Sequence, residues 1–440
     1  MKFNLDFFIN VQKYLIILLP LALVTGPFIP DLIISLCSVL IIICLLIEKN
    51  FFFIKRKILI SFIIYCLYLI SLSILKADNI SLSLESSLFY FRFGLFALSV
   101  FYLLSKLSNF ENFFLKYFFI SYSLVLLDSI IQFFVGINIV GLIIYIISRD
   151  MNLIHFYGFS YSGIFPSDRL SGLFGKELIL GSYISRLFPF FLFFLYKFYE
   201  NKNTFQKFLL FIIFSSTFFV VFLSGERSAF FSMIIYFFIF TFIINFNYFF
   251  KLFSILLIVI SLSITSIVFQ DTFNRMIMKT IDQIYMSTNE ISLFSIQHQV
   301  VYTSAYRIFK DNIFFGIGPK MFREKCKEEK YQVLTDLDHS INGCQTHPHN
   351  TYIQLLSETG IFGTIPILLL FIYTFYFILI RSFLFKKINK AKISNIYIIL
   401  LSSLFMNLWP FIPTGNFFNN WLSIMYFFPI GFILYNKEKY

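Results

Sequence analysis

Long, uninterrupted apolar runs constrain this chain more than any other feature. Twelve of them read as helices: 12–29, 31–48, 57–75, 87–105, 113–135, 177–198, 207–223, 228–247, 251–269, 359–383, 393–411 and 418–436. Most reach the roughly 17–25 residues needed to cross about 30 Å of hydrocarbon. In that solvent every backbone N–H and C=O must be paired internally, which leaves helices and closed barrels. The runs are continuously apolar and do not alternate, so helices are expected. Composition agrees: 58% of residues are hydrophobic and 22% aromatic, with 67 Phe and only 13% charged, whereas soluble domains are about 45–50% apolar. A water-soluble enzyme, a nucleic-acid reader, a disordered scaffold and a disulfide-rich secreted domain are all poor fits. The expectation is an all-α polytopic membrane protein with about 12 transmembrane helices. A further run at 138–147 is too short to span and reads as interfacial or re-entrant.

Charge placement sets the sides. Lys2 and Lys13 lie at the N-terminal end of the first run, with no small-residue cleavage site, so an uncleaved first span is expected. If both termini are cytoplasmic, more than half of the 35 basic residues fall on the cytoplasmic side, including Lys55, Arg56, Lys106, Lys197, Lys386 and Lys437. The short loops opposite hold almost none beyond Lys76 and, at a membrane edge, Arg227. This is a positive-inside pattern, so the net charge of +12 mostly records topology. Three regions follow. Residues 1–269 carry the first nine spans, with a smaller outer segment at 136–176. Residues 270–358 form one large, near-neutral outer loop, and residues 359–440 carry the last three spans.

Polar chemistry concentrates outside. Four of the five His lie in the large loop (His298, His339, His347 and His349) and His155 lies in the smaller one. Imidazole titrates near neutrality and can take up a proton. The densest stretch runs from Thr346 to Gly363. Pro348 extends the residue before it, Asn350 can cap a helix beginning at Thr351, and Gly360 and Gly363 permit a bend or close packing at bilayer re-entry. This would hold a His at a helix start, at the mouth of the membrane domain; a solvated loop His is the alternative. Arg92 and Arg186 lie inside spans, and Arg169 and Arg227 at membrane edges. An Arg in hydrocarbon needs a partner or a ligand. Guanidinium groups grip phosphate bidentately, so several on the outer side suit a lipid diphosphate. Snorkelling or pairing with Asp168 or Glu226 is the alternative. Cys326 and Cys344 are candidates for a disulfide closing a loop of about 18 residues, worth roughly 3 kcal/mol in the chain-entropy model. A zinc site using His347, His349, His339 and these thiols matches no strong spacing. Cys37, Cys44 and Cys66 lie in spans and read as packing. Nucleophilic triads, P-loops and dinucleotide fingerprints are absent from the sequence.

Together these features resemble the O-antigen ligase family. His349-Asn350, nine residues, then Gly360-x-x-Gly363 looks like its hallmark. Phe314-Phe315-Gly316-Ile317-Gly318-Pro319-Lys320-Met321-Phe322 looks like the Gly-rich segment before it. Arg169-Leu170-Ser171-Gly172-Leu173-Phe174-Gly175 and Ser224-Gly225-Glu226-Arg227-Ser228 look like its two arginine segments. The resemblance implies a GT-C-type glycosyltransferase architecture in the bacterial inner membrane, acting at the periplasmic face without metal or other cofactor. The donor would be an undecaprenyl-diphosphate-linked glycan and the acceptor a lipid A-core sugar hydroxyl, with membrane lipids around the bundle and no nucleic acid involved. His349 would accept the acceptor's proton, and Arg169 and Arg227 would hold the diphosphate. Asn350, Gly360, Gly363, Arg186 and His347 would support them. An O-antigen polymerase using a lipid-linked acceptor fits the same motifs, and a lipid-linked glycan transporter fits the spans alone.

Overall fold

The computed structural model describes residues 5–49, 57–150, 169–285, 294–333, 342–380 and 394–439. His155, His339 and Asp168 lie outside the described residues. Helices dominate, and no strand occurs among the described residues. A helix sits on each of the twelve apolar runs: α1 (Leu5–Ala22), α2 (Phe28–Glu48), α3 (Lys57–Leu75), then the short α4 (Ile80–Ser87) continued by α5 (Phe91–Lys106), and α6 (Phe110–Val135). The ten-residue α7 (Ile139–Ser148) covers the short run; it leaves Ile143, Tyr145, Ile146 and Ile147 exposed. Then come α8 (Leu180–Phe198), α9 (Thr204–Leu223), α10 (Arg227–Phe238, extended by a wider turn at Ile239–Ile243) and α11 (Tyr248–Val268). In the large loop, α12 (Ile296–Asp311) is amphipathic. The chain finishes with α13 (Thr351–Phe375), α14 (Asn395–Asn407) and α15 (Asn420–Lys439).

Two boundaries move. The first run, read as 12–29, crosses a break: α1 ends at Ala22, and Thr25, Gly26 and Pro27 form the turn into α2. The count also tightens. Among the described residues, eight helices are long and apolar enough to cross a membrane. Arg186 and Lys197 interrupt α8, α10 and α14 are shorter, and α15 begins with Asn420 and ends on Asn436, Lys437, Glu438 and Lys439.

Between membrane helices, lipid is as apolar as the side chains, so packing and interhelical hydrogen bonds provide the cohesion. Aromatic rings do much of the packing here. Phe428 of α15 meets Phe190 of α8 at 4.9 Å between ring centroids and Phe114 of α6 at 5.5 Å. Phe119 and Phe194 stack at 4.3 Å. Buried polar groups are paired across helices: Ser99 Oγ donates to Gln12 Oε1 at 2.6 Å, and Gln12 Nε2 donates to Cys44 Sγ at 3.1 Å. Arg92, one of the two arginines within spans, is a structural pair. Its guanidinium lies 2.6 Å from Asp31 and donates to Asn420 Oδ1 at 3.0 Å.

Candidate active site

A cavity of about 1330 Å³ opens at one end of the bundle. Gly26, Glu85, Lys176, Arg323 and Asn416 each bring a different interhelical connection to its wall, following the first, third, fifth, ninth and eleventh apolar runs. The seventh contributes through Ser228, in the first turn of α10. These are the connections that charge placement assigns to the outer side. The opposite helix ends carry ion pairs of Lys106 with Glu48, at 2.9 Å, and of Lys197 with Glu111.

One wall is the start of α13. Asn350 caps it: Oδ1 accepts from the amides of Tyr352 and Ile353 at 3.0 and 3.1 Å, and Nδ2 donates to the Pro410 carbonyl at 2.7 Å. His349 has a left-handed backbone (φ 55°), and its carbonyl accepts the Thr414 amide at 2.9 Å. Its ring centroid lies 4.1 Å from that of His347 and 5.9 Å from that of His298 on α12. His298 Nδ1 is 2.7 Å from Ser295 Oγ. His347 lines the cavity; its Nδ1 is 3.0 Å from Thr346 Oγ1, and its Nε2 is buried with no hydrogen-bond partner. Burial disfavours charge on all three rings. It pushes His347 down to about 4, with the His349 charge adding to the effect, and lowers His349 and His298. Neutral imidazoles at pH 7 are proton acceptors.

The Gly-rich segment forms the adjoining wall by lying along α13 at its break. Gly360 interrupts the helix with φ 65° and ψ −170°, a conformation essentially restricted to glycine. A Cβ there would run into the Phe314 carbonyl, and one on Gly316 would meet the backbone of Glu358. Only bare backbones can approach so closely, and they pair: Ile317 N–H donates to Ser357 O at 3.2 Å, and Gly318 N–H to Glu358 O at 2.8 Å. Glu358 is fully buried; Oε1 accepts the Phe322 amide at 3.2 Å and Oε2 accepts from Gln354 Nε2 at 2.9 Å. Gln354 also reaches Asn416 Oδ1 at 2.9 Å. This carboxylate therefore fixes the turn that carries Lys320 and Arg323, both of which line the cavity. Gly363 packs against Thr359 and Tyr68, whose hydroxyl donates to Thr359 O at 2.7 Å. Cys326 and Cys344 are joined by a disulfide, which removes both thiols from the alternative zinc set. Among the described residues, no group of three or more His, Cys, Asp or Glu is placed to hold a metal ion.

The arginine turn borders the same cavity. Arg169 Nε donates to Ser224 O at 2.8 Å, a terminal nitrogen donates to Leu178 O at 3.0 Å, and Glu226 is 3.9 Å away. Glu226 accepts the Gly181 amide at 2.7 Å and the Ser182 hydroxyl at 2.5 Å. Burial raises its pKa, while these hydrogen bonds and Arg169 oppose the rise. Arg227 Nε donates to the Arg275 carbonyl at 3.1 Å. The Arg275 charge acts on both Arg169 and Arg227, so three cations lie close together, with Glu226 beside Arg169.

Of the residues singled out from sequence, Arg186 and His347 line the cavity, and His349, Arg169 and Arg227 do not. They reach it through neighbours: His349 through His347, and the arginine turn through Ser182 and Ser228. Arg186 bonds Asn407 of α14. Sequence reasoning missed Lys176, Lys320, Arg323 and Arg275 as site residues. Lys320 stood inside the Gly-rich segment and Arg323 three residues beyond it, which is the signal that was available.

No curated protein matches the chain. Residues 209–368 match the protein-family model described as O-Antigen ligase, a stretch containing Arg227, the Gly-rich segment, the disulfide, the histidines 298, 347 and 349 and the Gly360 break. Through this segment, on a bundle of apolar helices suited to a multi-pass membrane protein, the chain is similar to the O-antigen ligase family.

Proposed function

We propose that this protein is an O-antigen ligase, a GT-C-type glycosyltransferase of about twelve spans in the bacterial inner membrane with both termini cytoplasmic. It would transfer a glycan from undecaprenyl diphosphate to a lipid A-core sugar hydroxyl at the periplasmic face. The observation that carries the proposal is the cavity itself. It gathers the connections assigned to one side of the membrane and combines the buried, neutral His347 with a net excess of cations.

The acceptor oxygen attacks the anomeric carbon, the bond from that carbon to the diphosphate oxygen breaks, and the configuration inverts. The acceptor proton passes to His349, whose lowered pKa keeps it neutral and able to accept. The leaving diphosphate gains negative charge, which Arg169 and Arg227 stabilise from a preorganised turn. Their orientation is already paid for in folding: Glu226 and the Ser224 carbonyl hold the turn before substrate arrives. His347, in ring contact with His349, lines the cavity itself.

The test is a cell-free assay with purified protein, a lipid-linked donor and either lipid A-core or a second lipid-linked glycan. Extension of lipid A-core supports the ligase. Extension of only the lipid-linked glycan replaces it with a polymerase, and no extension of either removes the transfer reading.

A further inference from the structure

We infer that the Lys320–Arg323 turn is a phosphate-binding subsite of the cavity, with Arg323 as its principal contact. Only the identity of the substrate bearing that phosphate rests on the transfer reading. Four cations line the cavity (Lys176, Arg186, Lys320 and Arg323) against two carboxylates, Glu85 and Glu177. Lys320 pairs with Glu85 and Arg186 with Asn407. Arg323 differs: its Nε is buried without a hydrogen-bond partner among the described residues. A buried, unsatisfied guanidinium donor is costly unless a ligand completes it, and this group matches phosphate bidentately.

The backbone around it is built to hold one conformation. Among the described residues, four that are not glycine have positive φ. Lys49 and Arg149 are ordinary helix C-caps, whereas Lys320 (φ 66°) and His349 are not. Strain at such positions persists where the surroundings impose it, often at ligand sites. Three contacts impose it here. Ser83 Oγ donates to Pro319 O at 2.8 Å, the Phe322 amide donates to the buried Glu358, and Cys326 is bonded to Cys344. The Arg323 charge also acts on His347, placing the cation beside the histidine wall. The phosphate belongs either to the donor's diphosphate or to a phosphorylated acceptor glycan.

The experiment uses full-length protein in lipid nanodiscs, with inorganic pyrophosphate as the probe in calorimetric titration. Arg323→Gln is expected to weaken binding at least fivefold, while Lys327→Gln, an exposed lysine paired with Glu324, leaves it unchanged. A loss of less than fivefold in Arg323→Gln, or an equal loss in Lys327→Gln, overturns the subsite. If Arg323→Gln lowers the melting temperature, Arg323→Lys supplies the comparison: at least a threefold loss supports the subsite and a smaller one overturns it. Steady-state transfer then names the source. A raised KM for the lipid-linked donor assigns the phosphate to the donor. A raised KM for phosphorylated but not dephosphorylated acceptor assigns it to the acceptor, and unchanged KM values for both overturn the subsite. Pyrophosphate binding that depends on Arg323 in a protein with no transfer activity would sink the transfer reading and leave the subsite standing.

Discussion

The disulfide between Cys326 and Cys344 ties the Arg323 turn to the His347 segment, with three residues from each sulfur-bearing position to the cavity-lining side chain. Two walls of one cavity are thus linked covalently, and Cys326 is fully buried.

Breaking that bridge should therefore cost both stability and activity. Closing a loop of sequence separation 18 is worth about 3 kcal/mol in the chain-entropy model. The Cys326→Ser/Cys344→Ser double variant is expected to melt several degrees lower and to lose transfer activity before it unfolds. A thermal melt in detergent, read beside an activity curve, checks this.

Removing the proposed base, His349, should show in rate and in pH dependence. His349→Ala is expected to lower kcat about 10²- to 10⁴-fold with little change in folded yield. In the unmodified protein, activity should hold from pH 8 to below 6.5, because burial depresses His349 and His347. It should fall at a pH below 6.5, as His349 takes up its proton. Stability follows the same sign: the unfolded chain binds a proton near pH 6.5 and the folded one does not, so the neutral-histidine contribution is full above 6.5 and is lost on the way down to about 4. Melting temperatures across that window would show the fall, and His347→Gln should flatten it.

Gly360→Ala should be severe. The position combines a glycine-only backbone with a carbonyl where Cβ must go, so a loss of at least 2–3 kcal/mol is expected. Folded yield after size-exclusion chromatography reads it directly.

Glu358→Ala separates positioning from contact. It leaves the Phe322 amide and Gln354 without their buried acceptor, which costs about 1–3 kcal/mol. The Lys320–Arg323 turn should loosen, raising substrate KM more than it lowers kcat. Lys106→Ala, at the opposite helix ends and paired with Glu48, should instead leave KM unchanged.

Apolar periodicity made the helices legible because burial in lipid demands long apolar runs. It overshot at Gly26-Pro27 because those residues are tolerated by composition but not by helix geometry. Asn350 and Gly360 were readable because caps and bends need particular residue types. The destination of each guanidinium was not. Arg169 spends its donors on the carbonyls of Ser224 and Leu178, and Arg186 meets Asn407 from a distant helix, so neither outcome leaves a local mark. Arg323 escaped notice for the same reason: its place depends on Glu358, which lies across the break in another segment.

That break has a mechanical consequence. Before Gly360, the residues of α13 are mostly buried, as Leu355 and Glu358 are; beyond it, Phe362, Ile365 and Leu369 are exposed. A bilayer that thickens or thins retilts the portion in contact with lipid. The backbone bonds of Ile361 and Phe362 to Ile313 and Phe314 anchor the helix just past the break, so a retilt of its outer part would be stopped before it reached the histidine pair.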